Sequence, residues 1–123
     1  MANISAFLFE SLPDINWVGF YRLIDNELVI GPYQGKVACN RIAIGKGACG
    51  SCVEKKETMI IDNVYDFKGH IVCDIDSKSE IAIPLFNQID IIGVLDIDSP
   101  IYNRFDIEDK IGLEAISTLI TIK

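Results

Sequence analysis

No apolar run in the chain approaches the roughly 20 residues that a helix needs to cross a bilayer, so a membrane-spanning helix is not expected. Positive charge is scarce as well: 11 Lys and Arg stand against 18 Asp and Glu, a net charge of −7. Averaged over the surface, that field repels phosphate backbones and anionic lipid headgroups, which excludes nucleic acid and membrane surfaces as natural partners. The first residues, Met1-Ala2-Asn3-Ile4-Ser5, lack the basic stretch, apolar core and small-residue cleavage site of a secretory leader, so a reducing cytoplasm is the expected compartment. Histidine is reduced to His70, and no repeat, linker or low-complexity segment is visible. With 123 residues the chain has length for one core, and 1–123 reads as a single domain. Area scaling gives about 6,600 Å² of folded surface against about 20,000 Å² unfolded, enough burial to need no cross-link.

Cysteine, by contrast, is present at 39, 49, 52 and 73. In a reducing compartment such residues are metal ligands, catalytic groups or small buried hydrophobes more often than permanent disulfides.

Periodicity supplies the elements. Ile4, Phe7, Leu8, Ser11 and Leu12 fall near one helical face, with Asn3 as cap and Pro13 as stop. From Ile15 to Ile30 the period changes to two, with Trp17, Gly19, Tyr21 and Leu23 on one face and a turn at Asp25-Asn26-Glu27. Gly31 to Gly35 reads as a loop, Val37 to Ile44 as a strand, and Gly45-Lys46-Gly47 as a turn opening a short helix over Ala48 to Lys56. A strand over Thr58 to Asp62 is followed by an irregular stretch to Ser79, of a length that usually signals function. Two strong strands, Ser79 to Phe86 and Ile89 to Asp98, precede a helix capped by Asp106 and Asp109, whose expected buried stripe is Ile111, Ala115, Ile116, Leu119 and Ile120. Tight connections and few, short helices predict an α+β fold, an antiparallel sheet of about five or six strands with flanking α-helices.

Several motifs compete for chemistry. Gly45, Gly47 and Gly50 spell GxGxxG, but no crossover helix or distal acidic residue supports a dinucleotide site; a tight turn and a helix N-terminus able to lower a thiol pKa or hold a carboxylate fit better. Cys49 and Cys52 spell CxxC, yet Cys39, Cys73 and His70 offer no matched second pair for zinc, and Cys52 reads as a buried helix residue. Cys73 stands in a polar loop with His70, Asp74 and Asp76 and is expected to be accessible; His70 alone is more often a loop hydrogen-bonding residue than a base. Asp96 and Asp98 alternate with Leu95 and Ile97, so both leave one strand face about 6.6 Å apart. They are either a solvated strand end or a pocket, and in a pocket burial and repulsion raise one pKa. Trp17 and Tyr21 are either core or the wall of that pocket.

Taken together, the blocks Asn16 to Tyr21, Gly31 to Lys36 with Cys39, Gly45 to Gly50, Gly69 to Asp74, Ser79 to Ile81 and Gly93 to Ser99 resemble the free methionine-R-sulfoxide reductases, a branch of the GAF-domain fold. The resemblance implies Cys73 as nucleophile, Cys39 as its main resolving partner and Cys49 as an auxiliary thiol. It implies Trp17 and Tyr21 around the substrate's methyl and sulfur end, and Glu80, Asp96 and Asp98 for its polar groups. No metal or organic cofactor is implied; thioredoxin or a similar thiol recycles the enzyme, and a homodimer is a further implied partner. Two departures stand out: Cys52 has no counterpart in the usual pattern, and the chain begins about a helix later than family members generally do, with expected consequences for core or dimer contact. A non-catalytic GAF sensory module is the main alternative, although such modules usually sit beside output domains for which this chain has no length. A zinc or redox sensor built on Cys49 and Cys52 is the third reading.

Overall fold

In a computed structural model, residues 1–69 and 75–120 are described, so His70, Cys73 and Asp74 lie outside the described residues. The accessible surface is 6835 Å², close to the scaling expectation. Helix α1 (Ala2–Ser11) leads into strands β1 (Trp17–Ile24), β2 (Glu27–Gly35) and β3 (Arg41–Ala43). Helix α2 (Gly47–Lys55), strand β4 (Met59–Ile61) and a 3₁₀ turn (Val64–Asp66) follow. Strands β5 (Ser79–Asn87) and β6 (Asp90–Ser99) and helix α3 (Ile107–Ser117) complete the order. The strands form one sheet in the order β3-β2-β1-β6-β5-β4, and every pairing is antiparallel. The expected fold class holds.

Period-two alternation gives the sheet two separate cores. Val18, Phe20, Ile81, Ile83, Leu85, Leu95 and Ile97 point to one face and pack with Leu8 of α1 and Leu113 of α3. Trp17, Tyr21, Ala82 and Val94 point to the other, where Ala48, Cys49, Cys52 and Val53 of α2 cover them. The second face carries the polar residues of interest, and a one-residue register slip in β1, β5 or β6 would send them to the wrong side.

Several expectations need correction. The segment Gly31 to Gly35, read as a loop, continues β2 and pairs with β1 as Trp17↔Gly35, Val18↔Gln34 and Gly19↔Tyr33. Turn-forming composition yielded here to the ladder, with the register shift between Gly19 and Tyr21 absorbing the irregularity. The strand expected from Val37 shrinks to Arg41–Ala43. Helix α1 starts at Ala2 with Met1 at the cap position and no side-chain cap, so Asn3 lies inside it; Phe7 and Ser11 turn to solvent while Ser5 and Leu8 are buried.

Helix α3 has the predicted capping box, Asp106 Oδ1 accepting from the Asp109 amide at 2.9 Å and Asp109 Oδ2 from the Asp106 amide at 3.0 Å. Its buried side matches expectation at Ile120 and at half-buried Ile116 and differs elsewhere: Leu113 and Ser117 are buried, whereas Ile111, Ala115 and Leu119 face solvent. Both faces are apolar enough to satisfy a helical period, so periodicity alone had no means to choose.

Candidate active site

Register between β1, β6 and β5 builds the site in rows across the sheet. Asp98 stands opposite Trp17 on one side and Glu80 on the other; Asp96 stands opposite Gly19 and Ala82; Val94 stands opposite Tyr21 and Pro84. The Asp96 row is therefore flanked by a glycine and an alanine, and the volume that a side chain at Gly19 would take is occupied by the aromatic rings beside it. A Cβ there would sit 2.3 Å from the Tyr33 Cβ and 2.6 Å from the Trp17 ring, so only glycine lets the indole fold across the strand.

The aromatic wall is larger than expected. Trp17 stacks on Tyr21 at 6.0 Å between ring centroids and on Tyr33 at 5.3 Å with an interplanar angle of 18°. Tyr33 escaped sequence reasoning because its segment was read as a loop; its alternation within β2 is the signal that locates it. Polar tips of the same rings hold the segment after β2. Trp17 Nε1 donates to the Lys36 carbonyl at 3.1 Å, and Tyr21 Oη donates to the Cys39 carbonyl at 3.0 Å. Lys36 in turn pairs with Asp76, tying this segment to the chain that enters β5. Cys39 is disulfide-bonded, whereas Cys49 and Cys52 are free and buried.

Asp96 and Asp98 are only 5% and 9% exposed, which rules out the solvated strand end. Helix α2 brings the Cys49 thiol to the same place: its Sγ and one oxygen each of Glu80 and Asp96 all lie within 4.8 Å of one another. Asp98 is held from the side, since Ser77 Oγ donates to Asp98 Oδ2 at 3.2 Å and Asn16 Nδ2 donates to Ser77 Oγ at 3.0 Å. Asn16 and Ser77 are supporting residues that sequence reasoning did not single out. The expected residues Trp17, Tyr21, Cys49, Glu80, Asp96 and Asp98 thus converge on one face, with Cys39 tethered beside them; Cys73 lies outside the described residues.

Crowding of acidic groups out of water sets the electrostatics. Burial, then the Asp98 charge, pushes Asp96 up to about 8. Burial, then the Asp96 charge, pushes Glu80 well above the carboxylate range. Both carboxyls therefore hold a proton more tightly than an exposed carboxyl does, which suits either of them to donate one. The Cys49 thiol is also raised, by burial first and then by Asp96, Glu80 and Asp98, and burial pushes Cys52 up to about 12. That reverses the expectation that the start of α2 lowers a thiol pKa. The amides of its entry turn are already engaged, Gly45 N with the Gly50 carbonyl at 2.8 Å, Lys46 N with Ala43 at 3.1 Å and Gly47 N with Gly69 at 3.1 Å. Gly45 and Gly47 adopt φ of 87° and 60°, so the glycines serve the tight turn.

A stability signature follows from Asp96. Its pKa in the folded state, about 8, lies above the 3.8 of an unperturbed aspartate, so between those values the folded chain binds more protons than the unfolded one. Stability from this group is complete below pH ~4 and is lost as pH rises toward 8. A tenfold difference in proton affinity between the two states is worth about 1.4 kcal/mol, and about 1 kcal/mol moves the melting temperature of a domain this size by about 4 °C. Thermal unfolding followed by circular dichroism should show Tm falling by about 5 °C or more between pH 5.5 and 8, with the slope made shallower in Asp96→Asn and the remainder carried by Glu80, which burial raises in the same direction. A slope unchanged by that substitution would contradict the buried neutral carboxyl.

This sheet, with helices on both faces and an acidic and aromatic cluster gathered from β1, β5, β6 and α2, defines a GAF domain, and the family model so described matches residues 4–122. The chain is 53% identical over 116 residues to the free methionine-R-sulfoxide reductase of Escherichia coli (strain K12), covering 94% of this chain and 70% of that protein. It is 48% identical over 128 residues to the free methionine-R-sulfoxide reductase of Saccharomyces cerevisiae, covering 98% and 71%. The structure of reduced fRMsr of Staphylococcus aureus superposes with a TM-score of 0.94 at 55% identity, covering 97% of this chain and 77% of that one. The free methionine-R-sulfoxide reductase from Neisseria meningitidis in complex with its substrate gives 0.93 at 40% identity, covering 96% and 71%. The chain belongs to the GAF-domain family and, within it, to the free methionine-R-sulfoxide reductases.

Proposed function

We propose that this protein reduces free L-methionine (R)-S-oxide to L-methionine with cysteine thiols as the source of electrons. The observation that carries the reading is the convergence of the buried Glu80 and Asp96 carboxyls, both shifted toward their protonated form by burial, with an aromatic wall on one face of the sheet. A sulfoxide sulfur is a poor electrophile until its oxygen is protonated, and a carboxylic acid kept neutral at working pH is the group that can do this. Trp17, Tyr21 and Tyr33 supply apolar faces for the methylthio end. Asp98, accepting from Ser77, is suited to hold the substrate ammonium as a carboxylate, a contact that a methionine within a peptide cannot make.

Glu80 or Asp96 protonates the sulfoxide oxygen, the Cys73 thiolate attacks sulfur, and oxygen passes to the cysteine as methionine leaves, giving a sulfenic acid. The Cys39 thiol attacks that sulfur, water is expelled and a disulfide forms; thioredoxin or a similar dithiol reduces it by exchange. The disulfide-bonded state of Cys39, beside free Cys49 and Cys52, supports Cys39 as the resolving residue, with Cys49 as an auxiliary thiol. The chemistry calls for no metal or organic cofactor. The same reading takes 1–123 as one domain acting in the cytoplasm, with free methionine sulfoxide and thioredoxin as partners and a homodimer as the implied assembly. No helix of the described residues is long and apolar enough to cross a membrane.

A coupled assay with a thiol reductant on the two epimers of free methionine sulfoxide tests this directly. The R epimer should turn over, with the S epimer and peptidyl sulfoxide at least about 100-fold slower, the range expected when a buried polar group loses its partner. Equal rates on free and peptide-bound sulfoxide would overturn the selectivity, and absence of turnover would leave a binding module.

A further inference from the structure

The Cys49, Glu80 and Asp96 trio has a coordination chemistry of its own. One thiol and two carboxyls converge with Sγ and one oxygen of each carboxyl inside 4.8 Å, and they come from three different elements, α2, β5 and β6. Ligand atoms around a tetrahedral zinc, at bonds of about 2.0 to 2.3 Å, stand about 3.3 to 3.5 Å apart. Closing the trio onto an ion therefore asks each side chain to move by less than about 1 Å. A second observation points the same way: in a residue only 5% exposed, Asp96 Oδ1 is buried with no hydrogen-bond donor of its own, and the carboxyl's side-chain partners are the other two members of the trio, Glu80 and Cys49. An acceptor left with only acidic neighbours favours a cation placed among them.

We propose that this trio is a binding site for zinc, with three protein ligands and an open fourth position, and that the metal and the amino-acid substrate occupy the pocket in alternation. Zinc is favoured over magnesium or calcium because one of the three ligands is a sulfur, and over softer ions because two are oxygens. The gain is electrostatic as well as coordinative. Three acidic groups in one dry pocket cannot all ionise against each other, whereas a dication compensates most of their charge as it displaces their protons. The loaded protein then lacks both the open space and the carboxyl proton that the proposed reaction uses, so zinc acts as a reversible block. The metal site itself rests on the trio's geometry and stands whether or not the pocket reduces sulfoxides.

Cobalt(II) is the spectroscopic probe, since it takes zinc's coordination sites and reports a bound thiolate as a charge-transfer band in the near ultraviolet. We would titrate the full chain with cobalt chloride, then displace it with zinc, in the wild type and in serine variants at each of the four cysteines. The expected result is one equivalent bound, with the thiolate band lost in Cys49→Ser and Cys49→Ala and retained in Cys52→Ser, Cys39→Ser and Cys73→Ser. Glu80→Gln and Asp96→Asn should each weaken binding at least tenfold, with circular dichroism confirming that every variant is folded. No binding by the wild type, or a band that survives in both Cys49 variants, overturns the site. Loss of the band in Cys52→Ser with Cys49→Ser unaffected does the same, by moving the sulfur ligand one helical turn away. Excess free methionine should raise the apparent cobalt Kd at least tenfold beyond the rise caused by the same concentration of glycine, which chelates cobalt in solution through the same amine and carboxylate. A cobalt band indifferent to methionine would uphold metal binding by the trio while overturning its alternation with the amino acid and the substrate assignment of the pocket.

Discussion

Replacement of Cys73 by serine should abolish methionine release completely, including the first turnover, while replacement of Cys39 should allow one equivalent of methionine per chain and then stop. The asymmetry comes from the order of events. Attack on sulfur must precede any disulfide, so losing the attacking thiolate leaves nothing for a reductant to rescue, whereas losing the resolving thiol strands the enzyme as a sulfenic acid after a productive first step. Structure supports the division from the Cys39 side. Its carbonyl accepts from Tyr21 Oη, and its segment is held at Lys36 by both the Trp17 indole and Asp76, an anchorage suited to presenting a second thiol rather than to shaping the substrate. Cys49 is a poor substitute for either, since burial and three neighbouring carboxyls raise its pKa and keep it a thiol at neutral pH. Cys49→Ser should therefore retain single-turnover chemistry. The measurement is methionine per enzyme in the absence of reductant, by quench and amino-acid analysis. Methionine release from Cys73→Ser would transfer the nucleophile to another cysteine, and sustained multiple turnover of Cys39→Ser with thioredoxin would remove Cys39 from the resolving role.

How far the sequence disclosed this site depends on what each element obeys. Strand alternation is a strict period of two, and so Asp96 and Asp98 could be placed on one face from Val94 to Asp98 alone. Whether that face met water or a pocket could not be read from the strand, because the answer lies in which elements cover it: α2 with Cys49 and the folded-over indole of Trp17. Glu80 joins them only through the β5 to β6 register, opposite Asp98, a pairing that no local pattern encodes. Turn chemistry misled at Gly31 to Gly35, where Gly and Pro sit in a strand because β2 itself bulges there, Gly31 and Pro32 together standing against the single residue Phe20 of β1. Helix α3 misled for the opposite reason. Its apolar residues circle the helix, leaving Ile107, Ile111 and Leu119 61%, 63% and 76% exposed, and only tertiary contacts choose Leu113 and Ile120 for the core. The thiol at the start of α2 shows a magnitude deciding between effects. A helix N-terminus is worth about 1 kcal/mol to an anion, less than a tenfold change in acidity, and burial among carboxyls outweighs it.

The three carboxyls should separate when each is converted to its amide. Glu80 and Asp96 are the pair shifted toward protonation, Glu80 raised by burial and then by the Asp96 charge, Asp96 by burial and then by the Asp98 charge. Asp98 instead accepts from the Ser77 hydroxyl, a donor that favours its ionised form. Asp98→Asn should accordingly lose the hold on the substrate ammonium. That contact exists equally in ground and transition states, so KM should rise, by about tenfold or more for a lost charged hydrogen bond of about 1.5–3 kcal/mol, with kcat little changed. Whichever of Glu80 and Asp96 delivers the proton should behave the other way: its amide should lower kcat by about 10² to 10⁴ with KM nearly kept, the usual worth of general acid catalysis. The pH profile adds a sign. A proton donor must be protonated to work, and Asp96 loses its proton near pH 8, so if Asp96 is the donor, kcat should fall as pH rises through about 8. Asp96→Asn would then lose both the rate and that alkaline limb, whereas loss of the rate in Glu80→Gln alone would make Glu80 the donor and leave Asp96 as the residue that keeps it neutral. Wild-type kinetics in all three amide variants would end the pocket reading, and the chemistry would have to be sought around Cys73 and His70.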